Sequence, residues 1–219
     1  MQETPGYAAR LEVDYPETLD RLSTFFRLIM IIPVAIILTL ISGAGQTVTH
    51  TVYLNQAGEV LRTTRDTAGG LASGLAMATA LMIIFRRRYP RWWFDFAREL
   101  ARFSARVGAY GALLMDQYPS TEDEQAIHLD LDYPDVERDL SRWMPIFKWF
   151  LAIPHYIVLA ILMAAAVFVL IVAWFAILFT GRYPRSLFDF VVGVGRWWLR
   201  VAAYAFLLVT DRYPPFSLQ

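Results

Sequence analysis

The sequence predicts an all-α integral membrane protein with four transmembrane helices. They are expected as two parallel helical-hairpin repeats, each followed by an interfacial amphipathic helix, with short β segments outside the bilayer. Three observations predict this. Hydrophobic residues make up 57% of the chain, above the roughly 45–50% of ordinary soluble domains, and mean hydropathy is +0.40. Charges are absent from long stretches and dense beside them. The second half of the chain echoes the first, block by block.

The echo is specific. Leu11-Glu12-Val13-Asp14-Tyr15-Pro16-Glu17 returns as Leu129-Asp130-Leu131-Asp132-Tyr133-Pro134-Asp135. Arg27 to Pro33 returns as Lys148 to Pro154, and Arg88-Tyr89-Pro90-Arg91 returns as Arg182-Tyr183-Pro184-Arg185. Phe94-Asp95-Phe96 returns as Phe188-Asp189-Phe190. Leu113 to Pro119 returns, with one extra residue, as Leu207 to Pro214. The acidic, polar stretch Ser120 to Gln125 separates repeat one (1–120) from repeat two (121–219).

Each repeat opens with an apolar–acidic alternation ending in Tyr-Pro. Alternation argues an extended strand, and proline ends it. A long apolar stretch follows. A span takes about 20 apolar residues. In repeat one, spans are expected at 25–44 and 70–85. The polar segment 46–64 between them reads as a β-hairpin turning at Asn55-Gln56-Ala57-Gly58. In repeat two, Trp149 to Thr180 holds one ionisable residue, His155. It is expected to form two short helices with a turn near Met163 to Ala166. The rival reading makes each apolar stretch one long tilted helix. Pro33 and Pro154 stand at matched places and are expected to kink their helices.

Basic residues flank the hairpins on one side: Arg21, Arg27 and Arg86–Arg88, then Arg138, Arg142, Lys148, Arg182 and Arg185. The positive-inside rule then makes the protein multi-pass with both termini cytoplasmic and the hairpin 46–64 outward. The stretch Met1 to Arg27 lacks the form of a cleavable signal peptide, so the first span is expected to serve as an uncleaved anchor.

The segments 93–115 and 188–209 are apolar but charged on one face. Asp95, Arg98, Glu99, Arg102 and Arg106 share helical spacing in the first, and Asp189, Arg196 and Arg200 in the second. Such helices suit the headgroup plane. Arg98, Arg102, Arg106, Arg196 and Arg200 are therefore candidates for binding anionic lipid headgroups or a protein partner. A solvated helix face explains them too. Asp95 and Asp189 stand in the first helical turn, where a carboxylate favours the helix dipole. Ser186, three residues before Asp189, has capping-box spacing. Gly193 and Gly195 suggest close helix packing. Trp92, Trp93, Trp143, Trp149, Trp197 and Trp198 read as an interfacial aromatic belt.

Little in the chain suggests chemistry. It has no cysteine, which excludes disulfides and thiolate sites. The net charge is zero and nothing points to nucleic acid. The histidines His50, His128 and His155 lack metal-ligand spacing, so no metal or cofactor is expected. His128, Asp130 and Asp132 share a strand face, which a solvated strand explains. His155, whose matched residue is Val34, reads as a hydrogen-bonded structural histidine or a relay.

The motif Ile177-Leu178-Phe179-Thr180-Gly181-Arg182-Tyr183-Pro184, then Leu187-Phe188-Asp189-Phe190 and Tyr204 to Tyr213, resembles the DUF4389 family of bacterial membrane proteins of unknown function. The resemblance departs at 44–70, the hairpin. It implies a bacterial inner membrane and carries over no catalytic residue. The expected role is non-catalytic: a scaffold or accessory subunit of a larger membrane complex. Its partners would be membrane lipids and a protein partner or second copy. The alternative is a binder or transporter of a lipid or small apolar molecule, in a cavity near Pro33 and Pro154. An enzyme acting on lipids would need Asp95 and Asp189 to converge.

Overall fold

The computed structural model describes residues 7–42, 47–53, 60–67 and 71–219. In chain order the elements are β1 (Ala9–Val13), α1 (Arg21–Ser42), β2 (Thr47–Tyr53), β3 (Val60–Thr67), α2 (Leu71–Arg86) and α3 (Arg91–Gly111). Then come β4 (Ile127–Leu131), α4 (Val136–Asp139), α5 (Met144–Leu151), α6 (Ile153–Thr180) and α7 (Arg185–Ala205). Strands β2 and β3 pair antiparallel, from Thr47 opposite Thr67 to Tyr53 opposite Val60. The turn expected at Asn55 to Gly58 lies outside the described residues.

The turn expected near Met163 to Ala166 does not form. Helix α6 runs unbroken for 28 residues. The physical reason is that no glycine or proline follows Pro154 within it. Leu, Ala and Met favour the helix, and none offers a left-handed exit. The exit comes at Gly181, at φ 71°. Pro154 sits in the first turn of α6, where its missing N–H costs nothing. It marks the break between α5 and α6 instead of a kink. Pro33 lies inside α1.

Helix α7 folds back along the whole of α6. Near their joining loop, Ile177 and Ala173 pack with Tyr183, Phe188 and Val191. At the far end, Leu159 packs with Trp197 and Val201, and Trp149 Nε1 donates to the Ala205 carbonyl at 2.8 Å.

The first half builds the same contacts from two helices. Val34 of α1 packs with Phe103 and Val107 of α3, with Leu38 against them. Ile83 of α2 packs with Phe94, and Trp93 Nε1 donates to Thr79 Oγ1 at 2.8 Å. Helices α1 and α2 therefore follow one another along α3, both antiparallel to it. Matched residues are 121 apart before the hairpin (Arg27 and Lys148) and 94 apart after it (Arg88 and Arg182). The first half thus has 27 extra residues, inserted where the second half has the middle of α6.

Strands β1 and β4 pair with each other, centred on Leu11 opposite Leu129. Their alternation is visible in burial: Ile127, Leu129 and Leu131 are buried, whereas His128 and Asp130 are exposed. The apolar edges face α3 and α7. The charged edges carry Arg10 bonded to Asp132 at 2.7 Å, Arg102 to Asp130 at 3.3 Å, and His128 to Asp14 at 3.4 Å.

Three layers result. The charged sheet β1–β4 lies on one side, α3 and α7 form the middle, and α1, α2, α5 and α6 form the third. That third layer leaves much of its outer face uncovered: Phe25, Ile29, Ile36, Leu40, Leu81, Phe85, Phe147, Phe150, Phe168 and Phe179 are exposed. Among the described residues, two helical stretches, Arg21–Ile41 and Ile153–Thr180, are long and apolar enough to cross a membrane, and only 17% of each is buried. An apolar face of this extent marks contact with lipid or partner.

Gly181 closes α6 in the left-handed region, where a Cβ costs roughly 1–2 kcal/mol. Arg87, its matched residue, bears that conformation at φ 48°. Gly181→Ala is expected to lower unfolding free energy by about 1 kcal/mol, and Arg87→Gly to leave it level or raise it. Thermal unfolding in detergent checks both.

Candidate functional site

A half-open cavity of about 970 Å³ lies between the two halves. Its floor is Leu11, Val13, Ile127 and Leu129 of the paired strands. Its walls are the small-residue faces of α3 and α7, including Ala101, Ala105, Gly108, Ala112, Val191, Gly195 and Ala202. Leu75 of α2 and Met163, Ala166 and Leu170 of α6 complete it. The many small residues explain why space remains: alanine, glycine and valine leave much of the gap between α3 and α7 unfilled. Among the described residues, no lining side chain is charged. Ser104 turns its hydroxyl to the Leu100 carbonyl at 2.7 Å. A volume within the usual ligand-pocket range and an apolar wall suit a hydrocarbon chain. Pro33 and Pro154 take no part in it. Both are exposed on the outer face.

The candidate arginines are engaged by the protein itself. Arg102 Nε donates to the Leu129 carbonyl of β4 at 2.9 Å. Arg196 Nε donates to the Leu11 carbonyl of β1, also at 2.9 Å. Each helix thus holds the strand of the other half, at the centre of the sheet. Arg106 reaches the Ser120 carbonyl at 2.6 Å. Arg200, 8% exposed, donates to the carbonyls of Ser217 and Gln219. Arg98 pairs with Asp95 and Glu99. Helical spacing groups these arginines on one face of each helix, but a sequence shows nothing of the carbonyls opposite it.

The same holds for the aspartates. Asp95 pairs with Arg98, and Asp189 with Arg185 at 3.3 Å. Each acts within its own helix, and the two share no partner. Ser186 makes no cap; Pro184 occupies that place. Gly193 admits the C-terminal segment, not a helix, since a Cβ there would meet the Leu218 carbonyl at 2.8 Å. Gly195 faces Leu11 of β1. Trp93 and Trp197 turn inward, while Trp92, Trp143 and Trp198 are exposed.

Two buried ion pairs occupy matched places. Arg27, 1% exposed, pairs with Asp116 and donates to the Met115 carbonyl at 2.9 Å. Lys148, fully buried, pairs with Asp211 at 2.8 Å and donates to the Thr210 carbonyl at 2.8 Å. Tyr110 and Tyr204 lie against the two cations.

His155 is fully buried. It accepts from Trp197 Nε1 at 3.0 Å and stacks on Phe216 at 4.0 Å. Sequence reasoning named it without finding this aromatic enclosure, which comes from α7 and the C-terminal segment.

Removing the Arg196 guanidinium leaves the Leu11 carbonyl without its charged donor. Arg196→Met is expected to cost about 1.5–3 kcal/mol of unfolding free energy and to leave association with anionic vesicles unchanged. Denaturant titration and vesicle sedimentation read the two quantities. Lost vesicle binding at unchanged stability would show a headgroup contact instead.

No curated protein and no solved structure matches the chain. One family does: DUF4389, a domain of unknown function, matches residues 142–217. That stretch comprises α5, α6, α7 and the segment that returns over His155. Within its second half, at residues 142–217, the chain is thus similar to the DUF4389 family.

Proposed function

We propose that this is a non-catalytic membrane protein that binds a lipid or another small apolar molecule between its two halves. The observation that supports it most is the 970 Å³ cavity with uncharged walls from both halves. Burying apolar surface there contributes about 25 cal/mol per Å². Nothing charged in the lining would hold a headgroup, so the ligand's hydrocarbon part is what enters.

The reading includes a duplicated origin: two copies of one unit, each a long apolar helix, a helix folded back on it, and a leading strand given to the other copy. The resemblance to a bacterial family favours an inner membrane, with the basic flanks on the cytoplasmic side.

A scaffold or accessory subunit is the second reading. The β2–β3 hairpin favours it, because it is an addition that the second half lacks. A partner bound there would leave the cavity's contents unchanged.

Filling the cavity separates the two. Ala105→Trp and Ala202→Trp place a large ring against the walls. Each is expected to lower the lipid retained after detergent purification by at least about tenfold, or 1.4 kcal/mol. Mass spectrometry of organic extracts measures it, with circular dichroism confirming the fold. Wild-type protein carrying no apolar molecule, or variants retaining as much as wild type, would refute the binding reading.

A further inference from the structure

We infer that α6 and the α1–α2 pair lie within one leaflet, parallel to the membrane plane, and that the sheet β1–β4 faces water. The protein is then monotopic, not multi-pass. Its third layer is immersed among the acyl chains of a single leaflet, which are the occupant of its uncovered face.

The first support is the shape of the exposed surface. Ile157, Phe168 and Phe179 are 60%, 69% and 77% exposed. Spacings of 11 residues return to nearly the same helix face. That face is apolar from one end of α6 to the other, and α5 continues it with Phe147 and Phe150.

The second is the direction of α7. It runs antiparallel along the whole of α6, so both take the same angle to the membrane. Arg196 stands near the middle of α7 and holds β1 at Leu11. If α6 crossed the bilayer, the centre of the sheet would sit at mid-bilayer depth. So would the exposed Arg10, His128, Asp130 and Asp132 on its outer edge. Charges at that depth are expelled. With the helices laid flat, every one of them points away from lipid.

The third is the place of the hairpin. Strands β2 and β3 stand in the chain between α1 and α2, where the matched sequence of the second half runs through the middle of α6. A crossing helix would carry this two-stranded sheet, with open edges, inside the hydrocarbon. Backbone there requires closed hydrogen bonding. A helix in the leaflet plane frees the insertion to rise to the headgroups.

The chain has no cysteine, so single replacements report cleanly. Spin labels at Ile157→Cys, Phe168→Cys and Phe179→Cys are read for depth by power saturation. The full chain is used in phosphatidylethanolamine–phosphatidylglycerol vesicles. One depth at all three positions is expected. Phe168 deep with the other two shallow would overturn the inference, since a crossing α6 separates its outer two labels by roughly 33 Å. Arg138 and Arg182 lie beyond opposite ends of the α5–α6 pair, and both are exposed. In the double variant Arg138→Cys/Arg182→Cys, in sealed vesicles, an impermeant maleimide should mark both sites of a molecule or neither. Molecules marked once, in the majority, would mean that the helix crosses.

Discussion

The pairing of β1 with β4 is the constraint on which the rest depends. Each strand leads its own half yet packs on the helix of the other: β1 under Arg196 of α7, β4 under Arg102 of α3. The two strands then hydrogen-bond to each other around Leu11 and Leu129. The exchange is reinforced beyond the sheet. The Tyr15 hydroxyl donates to the Tyr183 carbonyl, and the Tyr133 hydroxyl to the Tyr89 carbonyl. Leu19 N–H donates to the Gly181 carbonyl at 2.9 Å. Neither half buries the apolar edge of its own strand alone.

Much follows from this crossing. The sheet holds α3 and α7 at a separation set by its own width. Many of their facing residues are alanine, glycine and valine, which do not fill the space, and the cavity is what is left. The long helices are pushed to the far side of α3 and α7, where much of their outer faces is exposed. The matched ion pairs tie α1 to the loop after α3 and α5 to the loop after α7. A buried pair of this kind is weak evidence for net stability, because desolvation offsets attraction. What it supplies is position: Lys148 must sit where the Asp211 carboxylate and the Thr210 carbonyl converge.

The sequence made some of this legible. Alternation at Leu11 and Leu129 marked strands because period two reports which side is buried. It could not report the partner, since the partner is another copy of the same pattern 118 residues on. Segments 93–115 and 188–209 showed their helical faces for the same reason. Their arginines were read as outward because backbone carbonyls leave no sequence signal. Hydropathy, counted from Trp143 to Thr180, allowed two short helices. Yet length alone does not bend a helix, and the residues at the supposed turn all favour continuing one. The cavity was beyond reach: it arises from which small residues face each other across the halves.

The halves are unequal where function is expected to differ. Val34 packs against Phe103, whereas the matched His155 takes a hydrogen bond from Trp197. The first half carries the hairpin, and the second carries the segment that closes over His155. The exchanged strands are the element common to both. Hydrogen exchange of the backbone amides in a membrane mimetic tests their role most directly. Amides of Ala9–Val13 and Ile127–Leu131 should open only with those of α3 and α7, at one shared free energy. Strands that exchange freely while both helices remain protected would contradict the account.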